Sequence, residues 1–219
     1  MRQGPHNVPG DARQANETQQ RLLDSALTLF AEQGYDGTSV REIIERAKVT
    51  RPVLYYYFEN KEHLFRQLLE AWFSELIAGM DKALETAAGY RARLQALMDN
   101  AFEHANRSPE VLQLVFQAFF SPRQQGPALD KDRLWRLRFD RILGVVREGF
   151  ESGELTGRKP ETVAMAFCGM MDAYLMAKCQ KPEMHLSNDL ATALVKLFLG
   201  GAVSKVDIHA AGVLPLAME

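Results

Sequence analysis

Apolar residues recur at helical spacing along almost the whole chain, and no stretch alternates apolar with polar residues as a half-buried strand would. Leu22, Leu23, Ala26, Leu29 and Phe30 make the first stripe, with Asn16 and Gln19 as a candidate capping pair and Gly34 as a stop. Ser39, with Glu42 three residues on, opens a second helix through a capping box; its inner face is Val40, Ile43, Ile44 and Ala47. Only Lys48 and Val49 separate it from a third helix. That helix is capped by Thr50, carries Pro52 in its first turn and anchors itself with Leu54 and Phe58. Glu59 and Asn60 end it, and the pattern predicts a long helix from Lys61 to about Ala88.

Past Gly89 the helices grow longer. Leu94, Leu97, Met98, Ala101 and Phe102 mark one, and Ser108-Pro109-Glu110 starts another that runs through Phe120. A loop is expected over Ser121 to Pro127. Leu134, Trp135, Phe139, Leu143, Val146 and Phe150 then stripe a further helix, followed by helices over Pro160 to Cys179 and Ser187 to Leu199. The expected fold is all-α. It comprises a disordered N-terminal arm (1–15), a three-helix domain (16–60), a larger helical domain (61–203) and a C-terminal tail (204–219).

Composition narrows this only by exclusion. With 219 residues, 47% of them hydrophobic and 25% charged, the chain can bury a full core without staples. The net charge of −2 means that any nucleic-acid site must be a local patch. The polar start, broken by Pro5, Pro9 and Gly10, does not read as a signal peptide. The greasiest run, Val163 to Ala177, is too short to span a bilayer and contains Asp172. Cys168 and Cys179 lie too far apart along one helix to be bridged within it. A cytoplasmic protein with no membrane partner is expected.

Two short helices across a tight turn, preceded by a packing helix, have the layout of a helix-turn-helix, whose second helix enters the major groove. With Leu54 and Phe58 as anchors, Thr50, Arg51, Val53, Tyr55 and Tyr56 are left to face outward. Three consecutive tyrosines, Tyr55 to Tyr57, cannot all be buried on one helix, and an exposed phenol suits a phosphate. From Thr38 to Lys61, Arg41, Arg46, Lys48, Arg51 and Lys61 stand against three acids, so positive charge is concentrated there. Helix N-termini at Ser39 and Thr50 add partial positive charge.

The run from Arg21 to Trp72 resembles the DNA-binding domain of TetR-type transcriptional regulators. The resemblance rests on LFAEQGYDGTSV, then I-x-x-x-A-x-V-T, then LYYYF-x-N-K-E-x-L. The rest of the chain resembles the family more loosely, in REGFESGEL, GMMDAYLM and NDLATALVKLFLGG. The resemblance implies that Ser39 meets phosphate and that Arg41 contacts base or backbone. It further implies that Thr50, Arg51, Val53 and Tyr56 face the groove, and that Tyr55, Tyr57 and Lys61 bind phosphate. Lys48 stands where the family often has glycine, which a turn with positive φ makes costly, and Val53 where a hydroxyl is frequent. The family also implies a homodimer on a palindromic operator in double-stranded DNA, released by a small-molecule effector held in the second domain.

Met98, Phe102, Phe116, Phe120, Trp135, Phe139 and Met170, core residues by default, are the candidates to line an effector cavity, with Asp172 as a polar anchor or else a solvated residue. Arg133, Arg136, Arg138 and Arg141, interleaved with Asp132 and Asp140, read as a solvated helix face. The last two strong helices carry surplus apolar surface. Phe167, Met171, Tyr174, Leu190, Leu194, Leu197 and Phe198 are therefore the expected dimer contacts. No phosphate-binding glycine loop, H-E-x-x-H, zinc-spaced cysteine pair, Glu-x-x-His or nucleophile elbow is present, so no enzyme, metal or cofactor is expected. The alternative class is a helical ligand-binding or sequestration protein that does not bind an operator.

Overall fold

The computed structural model describes residues 12–120, 127, 130–157 and 159–203, which form nine α-helices. They are α1 (Ala12–Gly37), α2 (Val40–Ala47), α3 (Arg51–Tyr57), α4 (Lys61–Thr86), α5 (Tyr90–Arg107), α6 (Pro109–Phe120), α7 (Lys131–Glu151), α8 (Pro160–Gln180) and α9 (Asn188–Val203). The all-α expectation is met. The stretches 1–11 and 204–219, which hold most of the expected arm and all of the expected tail, lie outside the described residues, as does most of the 121–127 loop.

Local signals explain most boundaries. Ser39 and Glu42 close the capping box on α2: the Ser39 backbone N–H donates to Glu42 Oε2 at 2.7 Å and the Glu42 N–H to Ser39 Oγ at 3.2 Å. Asn60 Oδ1 caps α4 by accepting from the His63 N–H at 2.7 Å. Gly34 interrupts the end of α1 at φ 76°, ψ 170°, as a stop should. Two expectations are corrected. α1 already runs from Ala12, so Asn16 and Gln19 lie inside it rather than at its cap. The Thr50 side chain makes no capping bond to α3; its backbone alone is extended at that position, and Pro52 starts the helix without one.

The core is continuous. Leu22, Ala26, Leu29 and Phe30 of α1 bury against Ile43, Ala47, Leu54 and Phe58, which explains why two such short helices hold their place. Phe30, Tyr35 and Phe65 then tie α1 to α4, with ring centroids 5.0–5.6 Å apart. Further along the chain, α4 packs on α5, α6 and α7, and α5 carries α7, α8 and α9. His104 is buried within this second layer, 4.6 Å from the Trp72 ring and with its Nε2 3.1 Å from the Trp72 carbonyl oxygen. Burial holds its imidazole below the ordinary value of 6.5, partly offset by that hydrogen bond.

Lys48, in the turn between α2 and α3, adopts φ 54°, ψ 46°, and is the one non-glycine residue at positive φ among the described residues. The Cβ strain anticipated at this position is therefore real. Lys48→Gly should keep the helix content and raise stability by up to ~1 kcal/mol in urea unfolding, because relieved αL strain outweighs the added freedom of the unfolded chain. The buried His104 sets a pH dependence. A folded-state pKa below the unfolded one means that stability is fully present above 6.5 and falls as the pH drops through the window beneath it. The melting temperature should decline there, and His104→Gln should flatten that decline.

Candidate nucleic-acid interface and core cavity

α3 presents one exposed face and buries the other. Leu54 and Phe58 are fully buried, whereas Thr50, Arg51, Tyr55 and Tyr56 are exposed, Tyr56 at 66% and Tyr55 at 43%. Large aromatics left in water at the surface of a short, well-anchored helix are what a groove-entering element needs. Arg51 lies over the Tyr55 ring, 5.8 Å from its centroid. Val53 is half-buried beside them. Arg41 is exposed on α2 and pairs with Glu45 at 2.7 Å, a surface pair weak enough to yield to another acceptor.

Of the residues expected to bind phosphate, Lys61 and Ser39 have other partners and the Tyr57 hydroxyl is buried. Lys61 is half-buried, and its ammonium donates to the carbonyls of Tyr35 and Thr38, both at 2.8 Å, while sitting 4.1 Å from the centre of the Tyr35 ring. Tyr35 lies in the last turn of α1 and Thr38 just past its end, and the Tyr35 carbonyl also accepts from the Thr38 N–H at 3.3 Å, so the lysine adds donors at the end of that helix and fastens α4 to it. Burial lowers its pKa, against the opposing pull of Asp36 and Glu42. The Tyr57 hydroxyl is buried without a partner among the described residues, and burial raises its pKa. Both the hydroxyl and the N–H of Ser39 are taken by Glu42, whose carboxyl those bonds hold below its ordinary range. A phosphate at Ser39 would have to displace a carboxylate.

Within the larger helical layer lies a cavity of about 210 Å³. α4 supplies Trp72, Phe73, Leu76 and Met80, α5 Leu97 and Ala101, and α6 Leu112, Val115, Phe116 and Phe119. α7 adds Leu134, Trp135 and Arg138, and α8 adds Met171, Asp172 and Leu175. Of the residues expected there, Phe116, Trp135 and Asp172 line it. Met98 and Phe102 are instead fully buried in the core, Phe139 stacks on Trp135 at 4.5 Å, and Met170 packs against the core outside the lining. The Phe120 side chain is outside the described residues. The α4 contribution was missed because these residues fit an ordinary core stripe, and a cavity among core residues leaves no mark in the period.

Asp172 is not a solvated residue, nor is the α7 arginine face wholly solvated. Arg138 Nη1 and Nη2 donate to Asp172 Oδ1 and Oδ2 at 2.5 and 2.7 Å, with the arginine side chain only 15% exposed. Burial opposes the arginine charge, but the Asp172 bonds outweigh it and leave its pKa raised. Arg141 makes a second two-pronged pair, with Asp81 of α4, at 2.6 and 2.8 Å. Cys168 and Cys179 are free, and burial pushes both thiols up to about 11, so neither is a nucleophile at neutral pH. No cluster of three metal-ligating side chains occurs among the described residues, and none of their helices is long and apolar enough to cross a membrane.

A buried three-helix unit that presents one short amphipathic helix is a helix-turn-helix DNA-binding domain. Residues 22–68 match the family described as bacterial regulatory proteins, tetR family, so the chain carries the DNA-binding domain of that family. The HTH-type transcriptional activator FasR of Mycolicibacterium smegmatis is 31% identical over 121 residues, 53% of this chain and 55% of that one. The chain thus spans about half the length of that relative. The HTH-type transcriptional repressor KstR2 of Rhodococcus jostii is 27% identical over 84% of this chain and 90% of its own. The Bacillus subtilis transcriptional regulator FadR, solved in complex with stearoyl-CoA, shares the fold with a TM-score of 0.69 at 19% identity, covering 83% of this chain and 98% of that one.

Exposed and buried residues of this unit should therefore respond differently to substitution. Arg51→Ala and Tyr56→Ala should weaken DNA binding by ~1–3 kcal/mol each in fluorescence anisotropy and leave the melting temperature unchanged. Leu54→Ala should instead cost ~2–5 kcal/mol of stability. Lys61→Ala should behave as a folding variant, losing ~1–2 kcal/mol, because the Thr38 carbonyl loses this donor and the Tyr35 carbonyl keeps only the Thr38 N–H at 3.3 Å. An unchanged melting curve with a smaller salt slope of DNA binding would return Lys61 to the phosphate contacts.

Proposed function

We propose that the protein is a dimeric transcriptional repressor that leaves a palindromic operator when a small, largely apolar effector fills the core cavity. The observation that carries this reading is the double duty of α4 and α6. α4 begins beside the helix-turn-helix, where Phe65 packs on Phe30, and four of its residues further on line the cavity. α6 supplies four more lining residues and packs directly on α1. A ligand that shifts either wall therefore shifts the DNA-reading unit. Arg51, Thr50, Tyr55 and Tyr56 are the residues proposed to meet DNA, with Arg41 and Val53 at their margin. Two half-sites must match the DNA turn of ~34–36 Å, so a small tilt suffices to break simultaneous contact. Repression rather than activation is favoured by likeness to KstR2 over most of its length. A long acyl-CoA such as the FadR ligand would have to enlarge this cavity greatly, which favours a smaller effector.

The second copy is proposed to dock on α8 and α9, though not through all the residues that the pattern suggested. Phe167, Met171 and Leu194 are buried in the chain's own core, because the inner face of each helix carries its largest side chains inward. The outer faces are nevertheless apolar. Leu197 is 71% exposed, and Met165, Gly169, Ala173 and Met176 run along the exposed side of α8 at helical spacing. Tyr174, Leu190 and Phe198 are half-buried at the margin. Small residues between methionines permit close helix approach in an isologous four-helix contact.

Selection of duplexes from a random pool should return a two-fold-related sequence with half-sites one helical turn, or a multiple of it, apart. Leu197→Glu with Met176→Glu should give a folded monomer by sedimentation and abolish operator binding. A dimer that survives both changes would refute this face. Recovery of no sequence above background, unchanged by Arg51→Glu, would favour the sequestration role.

A further inference from the structure

The polar groups of the cavity define what its ligand must carry. Trp72 lines the cavity and is 7% exposed, and its indole N–H is buried without an acceptor among the described residues. An indole nitrogen only donates, and an orphaned buried donor is destabilising until an acceptor arrives. The same lining includes the pair of Arg138 with Asp172. This pair is electrically neutral, and both guanidinium Nη atoms are engaged by the carboxylate in a two-pronged fit. An anionic ligand would either face a site with no net positive charge or draw Arg138 away and leave Asp172 buried and unpaired, a costly state. It would also have to shed its own hydration.

Building on the effector reading above, we infer that the cavity selects a neutral apolar molecule bearing a hydrogen-bond acceptor, such as a ketone, ester or lactone, which accepts from the Trp72 indole N–H, and that it rejects the matching carboxylic acid. Size agrees with this class. An apolar cavity of ~150 Å³ accommodates benzene, so about 210 Å³ suits roughly eight to ten non-hydrogen atoms. The salt bridge then serves as a charge-neutral wall that excludes acids.

The test uses the full-length protein and two probe series in titration calorimetry: propiophenone, 3-phenylpropanoate and propylbenzene, and the straight-chain pair 2-nonanone and nonanoate. The ketones should bind at least about five-fold more tightly than the acids and than propylbenzene, and Trp72→Phe should remove most of that advantage over the hydrocarbon. Asp172→Asn, which leaves the Arg138 charge uncompensated, should reverse the order in favour of 3-phenylpropanoate. Acids binding as tightly as ketones in the wild type, or a ketone advantage untouched by Trp72→Phe, would overturn the ligand class while leaving the cavity as an effector site. An unchanged order in Asp172→Asn would equally overturn the role given to the salt bridge. Failure of every probe to bind, in protein that still binds DNA, would overturn the effector reading and the class together.

Discussion

Burial of the apolar side of α4 is the constraint on which the rest of the molecule depends. Within 26 residues this helix completes two different cores. Leu64 and Phe65 close the helix-turn-helix against Phe30, and Trp72, Phe73, Leu76 and Met80 form one wall of the cavity. At a rise of ~1.5 Å per residue, the two groups together span about 24 Å of one rigid rod. Lys61 holds the near end of that rod to the carbonyls of Tyr35 and Thr38 at the end of α1, and the Arg141 pair with Asp81 holds the far half to α7. A change in the cavity has little scope to be absorbed locally, because close-packed interiors shift as units.

The DNA-reading unit is small and dependent on its surroundings. α2 and α3 have eight and seven residues, too short to persist alone, and each contributes only a few buried side chains. Their stability comes from Leu22, Ala26, Leu29 and Phe30 beneath them, and from the capping box at Ser39. That economy leaves the outward face of α3 free of packing duties. It also explains why Ser39 and Lys61, which lie in or beside this unit, are spent on holding it together, while Arg51, Tyr55 and Tyr56 stay in solvent.

The cavity illustrates a related economy of charge. Arg138 and Asp172 place a neutral, two-pronged contact between α7 and α8 at the edge of an otherwise apolar lining. A buried ion pair is poor evidence of stability, since well-packed apolar residues often serve as well. Its position at the lining is the observation on which the proposed discrimination among ligands rests.

The helices, the capping box, the strained turn at Lys48 and the buried side of α3 were legible in the sequence, because each depends on contacts within a few residues and on a helical period. Leu54 and Phe58 were legible as anchors for that reason. Only the tertiary structure decided the fate of residues whose partners are distant in the chain. Lys61 meets carbonyls more than twenty residues before it, and Arg138 meets an aspartate 34 residues after it. The surplus apolar surface of α8 and α9 was visible in the sequence. Which of its residues face inward was not: Phe167, Met171 and Leu194 went to the chain's own core, and Leu197 to the surface. A period specifies that a face is apolar, whereas only the packing of neighbouring helices specifies what covers it and where a void is left.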